Sequence, residues 1–187
     1  MNANAAGFLQ PDQTALLVVD FQHKLVPKIH DHRQVLHNSV LLLRLARILE
    51  LPIVLTTQYR KGLGDTVPEI LAEIPDVPSL DKTSFGCFGD TVFCDRVADL
   101  GRRQLLVCGI ESHICVTQTV LGALQAHHEV HVASDAVGSR TAANARLGLE
   151  RMQRAGAVLS SAEMAIYELL RRSDVEAFKH MLPHLKG

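Results

Sequence analysis

The sequence predicts a three-layer α/β fold with a mostly parallel sheet, and three observations carry that prediction. Short apolar runs alternate along the whole chain with longer stretches of helical periodicity, the pattern of a sheet with helices packed on both faces. The first run, Thr14 to Val19, is apolar throughout rather than at every second position, which suits a strand buried on both sides. Pro52, Gly101 and Gly156 stand where helices should stop. The chain has 187 residues, 47% of them hydrophobic and 21% charged. That is the length of about one domain, residues 1–187, with enough apolar material for its own core.

The elements follow in order. Residues 14–19 form the first strand, which ends at Asp20. Residues 31–50 read as a helix with a wide apolar face and a polar stripe of Arg44, Arg47 and Glu50 at three-residue spacing. Residues 52–57 form a second short strand. Residues 58–66, with Gly62 and Gly64, form a loop; 67–74 form a short helix, and 75–82 are extended or irregular. A helix over 90–100 stops at Gly101. The third strand spans 105–108, a helix 114–127, the fourth strand 130–133 and another helix 141–155. A fifth strand at 157–159 and two short helices near 161–172 and 174–182 complete the chain.

Composition excludes several functions. Lys and Arg number 19 against 20 Asp and Glu, for a net charge of −1, and neither half of the chain is a basic block. Aromatic residues make up 4%, with no Trp. Clustered cations and stacking platforms are both lacking, so no nucleic-acid partner is expected. No apolar run is long enough for a membrane span. The first seven residues lack a basic start followed by an apolar segment, so no secretory signal is expected. Cys87, Cys94, Cys108 and Cys115 contain no Cys-x-x-Cys pair. They read as free thiols of a reducing, cytoplasmic compartment rather than as staples or a zinc site.

In open parallel sheets, ligands bind beyond the carboxyl ends of the strands. Asp20, Phe21 and Gln22 follow the first strand; Thr56, Thr57, Gln58 and Tyr59 come at the end of the second. The extended segment delivers Lys82, Thr83, Ser84 and Phe85. Glu111, Ser112, His113 and Cys115 follow the third. Each has an ordinary alternative: an Asp at a strand end can be a cap, a Lys a solvated residue, a Cys a small buried hydrophobe. Together on one rim they suffice for nucleophilic acyl transfer. Cys115 stands at a predicted helix N-terminus, where the dipole favours thiolate and free N–H groups can hold an oxyanion. Asp20 can take the thiol proton, and Lys82 can keep that carboxylate charged.

These three motifs, Leu-Leu-Val-Val-Asp20-Phe-Gln, Asp-Lys82-Thr-Ser-Phe-Gly-Cys-Phe and Gly-Ile-Glu-Ser-His-Ile-Cys115-Val, resemble the Asp–Lys–Cys triad of the isochorismatase-like cysteine hydrolases in order, spacing and flanking residues. The resemblance covers about residues 14–159. It implies a Rossmann-like fold and a homo-oligomer. It makes Cys115 the nucleophile, Asp20 the general base and then acid, and Lys82 the partner of both. It also implies a cis peptide between Ile110 and Glu111 that aims the N–H of Glu111, with that of Cys115, at the developing oxyanion. Residues 57–60, Thr-Gln-Tyr-Arg, stand where nicotinamidases carry an Asp-x-His metal motif, so no metal and no cofactor are expected. A Cys at 115 points to amide or acyl chemistry on a small-molecule substrate, and the likeness is greatest to the metal-free branch without assigned substrates.

Phe21, Gln22, Gln58, Phe85, Phe88 and Ser112 are candidates to line the pocket, the Phe residues being equally suited to the core. His113, two residues from Cys115, should point elsewhere, and His127, His128 and His131 read as surface residues rather than a metal cluster. The alternative function is a catalytically silent oligomeric binding or scaffold protein on the same fold.

Overall fold

The computed structural model describes residues 7–185. Six strands form one all-parallel sheet in the order β3-β2-β1-β4-β5-β6. They are β1 (Thr14–Val19), β2 (Ile53–Gln58), β3 (Ser79–Lys82), β4 (Gln104–Ile110), β5 (Glu129–Gly138) and β6 (Val158–Ser160). β1, β2 and β4 are buried at every position, as their unbroken apolar runs require in a sheet covered on both faces.

One layer contains α1 (His32–Ile48), α3 (Pro68–Leu71), α7 (Ala162–Leu170) and α8 (Glu176–Leu185). Its core joins Leu42, Leu43, Leu45, Ile70, Ile166 and Met181 to Leu16, Val18 and Leu55 of the sheet. The opposite layer is α4 (Thr91–Asp99), α5 (Thr117–Gln125) and α6 (Ala142–Arg154). There Phe93, Val97, Val120 and Met152 meet Leu17, Val19 and Val107. Asp90, Thr141 and Ser161 cap α4, α6 and α7 through their side chains, each accepting from an N–H three residues on, which satisfies one orphan donor per helix. Gly101 and Gly156 follow α4 and α6 with φ of 60° and 110°, a conformation that glycine adopts without steric cost.

The structure differs from the sequence expectation at four places. Residues 79–82 are a sixth strand; its Ser-Leu-Asp-Lys sequence lacks an apolar run because it is an edge strand, with only Lys82 buried. α2 (Arg60–Leu63) forms a turn of helix inside the expected 58–66 loop. β5 runs on through Gly138 beyond the expected end at 133, with a register irregularity against β4. The helix expected from residue 114 is preceded by a π turn, Ser112–Val116, and α5 starts at Thr117.

The chain leaves β1 towards β2 and β3 on one side and returns through β4 to β5 and β6 on the other. The switch in strand order therefore falls between β1 and β4, and a ligand crevice belongs at their carboxyl ends. Asp20 follows β1 and the π turn follows β4.

Candidate active site

Strand register brings the polar residues together. Val19 pairs with Thr56 and with Gly109, and Gln58 pairs with Lys82. β1 and β4 approach closely at Gly109, where φ is 140° and a Cβ would lie 2.3 Å from the Val19 carbonyl oxygen. Asp20 then leaves the sheet with a φ of 55°, and its N–H donates to the Thr56 carbonyl at 3.3 Å. Lys82 ends β3, two strands away, and its side chain spans β2 to reach the carboxylate.

Lys82 Nζ donates to Asp20 Oδ2 at 2.8 Å, with the two side chains 1% and 0% exposed. A buried ion pair of this kind needs its remaining hydrogen-bonding capacity filled. Lys82 Nζ also donates to Gln58 Oε1 at 2.9 Å, and the carbonyls of Ser84 and Phe85 lie at 3.3 and 3.2 Å. Asp20 Oδ1 accepts from the Thr56 hydroxyl at 2.7 Å. Burial pushes the Lys82 pKa down, but the charge and hydrogen bond of Asp20, together with the neighbouring Cys87 and Cys115 sulfurs, outweigh it and leave the ammonium above its usual 10.5. The ammonium is charged at neutral pH.

Cys115 lies in the π turn, 6% exposed, near enough to Asp20 for that carboxylate to act on its thiol. The Glu111 carbonyl accepts from the N–H of Ile114 at 3.0 Å and of Val116 at 3.2 Å. Thr119 Oγ1 closes the turn from α5 by donating to the Cys115 carbonyl at 2.7 Å. The Ile110–Glu111 peptide entering the turn is cis. Burial, with the Asp20 charge behind it, raises the Cys115 thiol well above its ordinary value, and Lys82 only partly opposes this. The preference for thiolate expected of a helix end is thus opposed by desolvation in this buried turn. The resting group is a thiol beside a carboxylate.

Of the expected pocket residues, Gln58 and the Phe85 carbonyl reach this cluster through Lys82, and the others lie in different surroundings. Phe21 is fully buried in the α1-side core, because the chain turns inward after Asp20. Gln22 is also buried. It accepts from the Gln58 N–H at 2.8 Å and donates to the carbonyls of Gln58 at 3.1 Å and Gly64 at 2.7 Å. Gln58 holds Lys82 and donates to the Thr83 carbonyl at 2.9 Å. Both amides thus have protein partners and brace the ion pair. Ser112 is buried against Ser139, Oγ to Oγ at 2.5 Å, and His113 Nδ1 lies 2.9 Å from the same Ser139 hydroxyl. Phe85 is 55% exposed. Phe88 packs edge-on against Phe93 at 5.2 Å and beside His128. Phe85 and Phe88 line, with Gln118 and Gly122, a groove of about 340 Å³ between residues 84–89 and α5. A larger groove of about 530 Å³ between α1, β5 and α6 is lined by Ser139 but by none of the expected pocket residues.

Other placements follow. The Glu111 carboxylate is buried and accepts from Arg140 Nε at 2.9 Å and from the Arg140 N–H at 3.2 Å. His131 is buried against expectation, because it lies inside β5, with Nε2 3.4 Å from Glu129. Burial also lowers the pKa of His128. All four cysteines are free. Cys87 joins the cluster: it is buried, its N–H donates to Thr119 Oγ1 at 3.0 Å, and its sulfur is 3.9 Å from Thr56 Oγ1. Thr56 stands among the residues at the end of the second strand, but no sequence feature assigns it a role, since it is one more β-branched residue in an apolar strand.

Comparison with known proteins identifies the fold's relatives. The isochorismatase domain model matches residues 14–164. A secreted isochorismatase effector, Isc1, of Phytophthora sojae is 36% identical over 184 residues, covering 96% of this chain and 88% of its own. The structure of the MAR1 ribonuclease from Caenorhabditis elegans superposes with a TM-score of 0.91 at 33% identity, covering 97% of this chain and 93% of that one. The YcaC gene product of Escherichia coli, described as an octameric hydrolase of unknown specificity, superposes with a TM-score of 0.89 at 28% identity, covering 95% and 90%. Among the described residues, no helix is long and apolar enough to cross a membrane.

Proposed function

The chain belongs to the isochorismatase family, and from that premise we propose that it is a cysteine hydrolase of small amides or related acyl compounds. One observation carries the proposal: the buried, charge-paired Asp20 and Lys82 lie beside the Cys115 thiol at the switch point of the sheet.

Asp20 takes the Cys115 proton as the sulfur attacks the substrate carbonyl. Lys82 keeps the carboxylate charged until that moment and offsets the negative charge that the step creates. The N–H groups of Glu111 and Cys115 receive the developing oxyanion, an arrangement whose individual donors contribute about 10²–10³ in rate. Asp20 then returns the proton to the leaving amine. Water, deprotonated by the same carboxylate, cleaves the thioester and restores the thiol. Because the resting thiol is protonated, the nucleophile forms in the presence of substrate rather than before it.

Residues 1–187 act as one domain on a small molecule, in a homo-oligomer as in the octameric YcaC relative. Four free thiols favour a reducing compartment such as the cytoplasm, although the Phytophthora relative is described as secreted. The ribonuclease title of one relative supplies a second reading. The balanced charge of this chain, −1 overall, and the internal pairing of Arg172 with Asp174 give little hold on a phosphate backbone.

The test is turnover of a panel of small primary amides, carbamoyl compounds and activated esters, with labelled RNA as a further member, by wild type and Cys115→Ala. Acyl turnover lost in the variant supports the proposal. Equal low rates for the two proteins would overturn it, and RNA cleavage that depends on Cys115 would move the substrate to a phosphodiester.

A further inference from the structure

Thr56 occupies the middle of the cluster without touching substrate-facing space. It is 1% exposed, and pairing with Val19 sets it beside the residue that precedes Asp20. A hydroxyl has one proton to give, and here it goes to Asp20 Oδ1 at 2.7 Å. Thr56 Oγ1 itself lies 3.9 Å from the Cys87 sulfur. The opposite carboxylate oxygen is held by Lys82 at 2.8 Å. The charged or titratable groups that face Asp20 are Lys82 from β3, Cys115 from the π turn and Cys87 from the segment before α4.

We infer that Thr56 is a positioning residue whose hydroxyl holds the Asp20 carboxylate ionised and oriented, and so sets the lower pH limit at which Cys115 can be activated. This rests on the reading of Asp20 as the base. A hydroxyl donor favours the carboxylate over the neutral acid, most strongly where water cannot substitute for it. Valine has the same branched shape but no proton to give, so it would leave Oδ1 dry and short of one donor. A residue that only filled space would show no such dependence.

The test needs no substrate. The rate of iodoacetamide alkylation at Cys115 is mapped by mass spectrometry from about pH 4 to about pH 8, for wild type, Thr56→Val, Thr56→Ser and Cys87→Ala. Thr56→Val is expected to move the acid limb of the profile upward by about one to two pH units, the size of one charge-assisted hydrogen bond. Thr56→Ser, which keeps the hydroxyl, and Cys87→Ala, which removes only a weak neighbour, should leave the limb in place. Circular dichroism checks folding, and Thr56→Ala carries the same test if the valine variant does not fold. An unmoved limb in the hydroxyl-free variant, with wild-type Cys115 reactive, overturns the role of Thr56 alone. Wild-type Cys115 that is not alkylated at any pH in this range, even with excess reagent, overturns the hydrolase reading, and the inference with it.

Discussion

Replacing Lys82 with Met removes the cation from a carboxylate that has no access to water. The ammonium makes a 2.8 Å bond to Asp20, both side chains being at most 1% exposed. Its loss leaves the Gln58 Oε1 acceptor without its donor as well. Breaking a buried pair by removing one member costs about 3–5 kcal/mol, because the remaining charge is left uncompensated. For a chain of this size that corresponds to a fall in Tm of about 6–20 °C. The sign of the pH dependence follows from linkage. In the variant the unpaired carboxylate favours its neutral form, so the penalty is full at neutral pH. It shrinks as pH falls and is gone towards about pH 4, where the unfolded Asp is itself protonated. In the wild type the Lys82 pKa is raised above 10.5. The stability it contributes is therefore complete below 10.5 and is lost only as pH rises through the folded value. Urea unfolding of wild type, Lys82→Met and the double variant Asp20→Asn/Lys82→Met measures this directly. The double variant should recover most of the loss. A single-variant loss below about 1 kcal/mol, unchanged between acid and neutral pH, would refute the account of a dry, charge-paired site.

Two further outcomes are expected. In Gly148→Ala the new Cβ would lie 2.9 Å from the Ser112 carbonyl oxygen and 3.0 Å from His113 backbone atoms. α6 would then press on the turn that carries Cys115, with a stability loss of about 1–3 kcal/mol in urea unfolding and a larger loss of Cys115 alkylation rate. Equal reactivity to wild type would show that α6 does not support the turn. Burial pushes the Cys87 and Cys108 thiols up to about 11 and about 12, from 9.0. Stability should therefore be full below pH 9.0 and decline above it, through those folded values. Urea midpoints across that range should fall less steeply in Cys87→Ala/Cys108→Ala, and an unchanged slope would refute the assignment.

The layered parallel fold was legible because β1, β2 and β4 are buried on both faces and read as apolar runs. β3 was not legible as a strand, since Ser79 to Lys82 has the composition of a loop and is held only by pairing with β2. The extension of β5 through Ser134 and Asp135 was hidden for the same reason. At the candidate site, Asp20, Lys82 and Cys115 could be named from their positions at strand ends. The protonated state of Cys115 could not, because it depends on burial, which no local pattern encodes. Gln22 and Gln58 looked like substrate ligands because amides suit that task. Only the register that sets Gln58 beside Lys82 reveals that their capacity is spent on bracing the ion pair. Thr56 could be placed at a strand end but given no role, since a threonine within a buried strand is usual and its role comes from the register with Val19.

The central claim is that Cys115 attacks an acyl carbon with Asp20 as its base. Its most direct test is trapping the acyl-enzyme. Wild type, Cys115→Ala and Asp20→Asn are mixed with activated esters and small amides, quenched in acid within the first turnover, and examined by intact-mass and peptide mass spectrometry. A single acyl group on Cys115 is expected in the wild type, absent from Cys115→Ala and formed about 10²–10⁴-fold more slowly in Asp20→Asn. Turnover without any adduct at Cys115, or an adduct that forms equally fast without the Asp20 carboxylate, would contradict it.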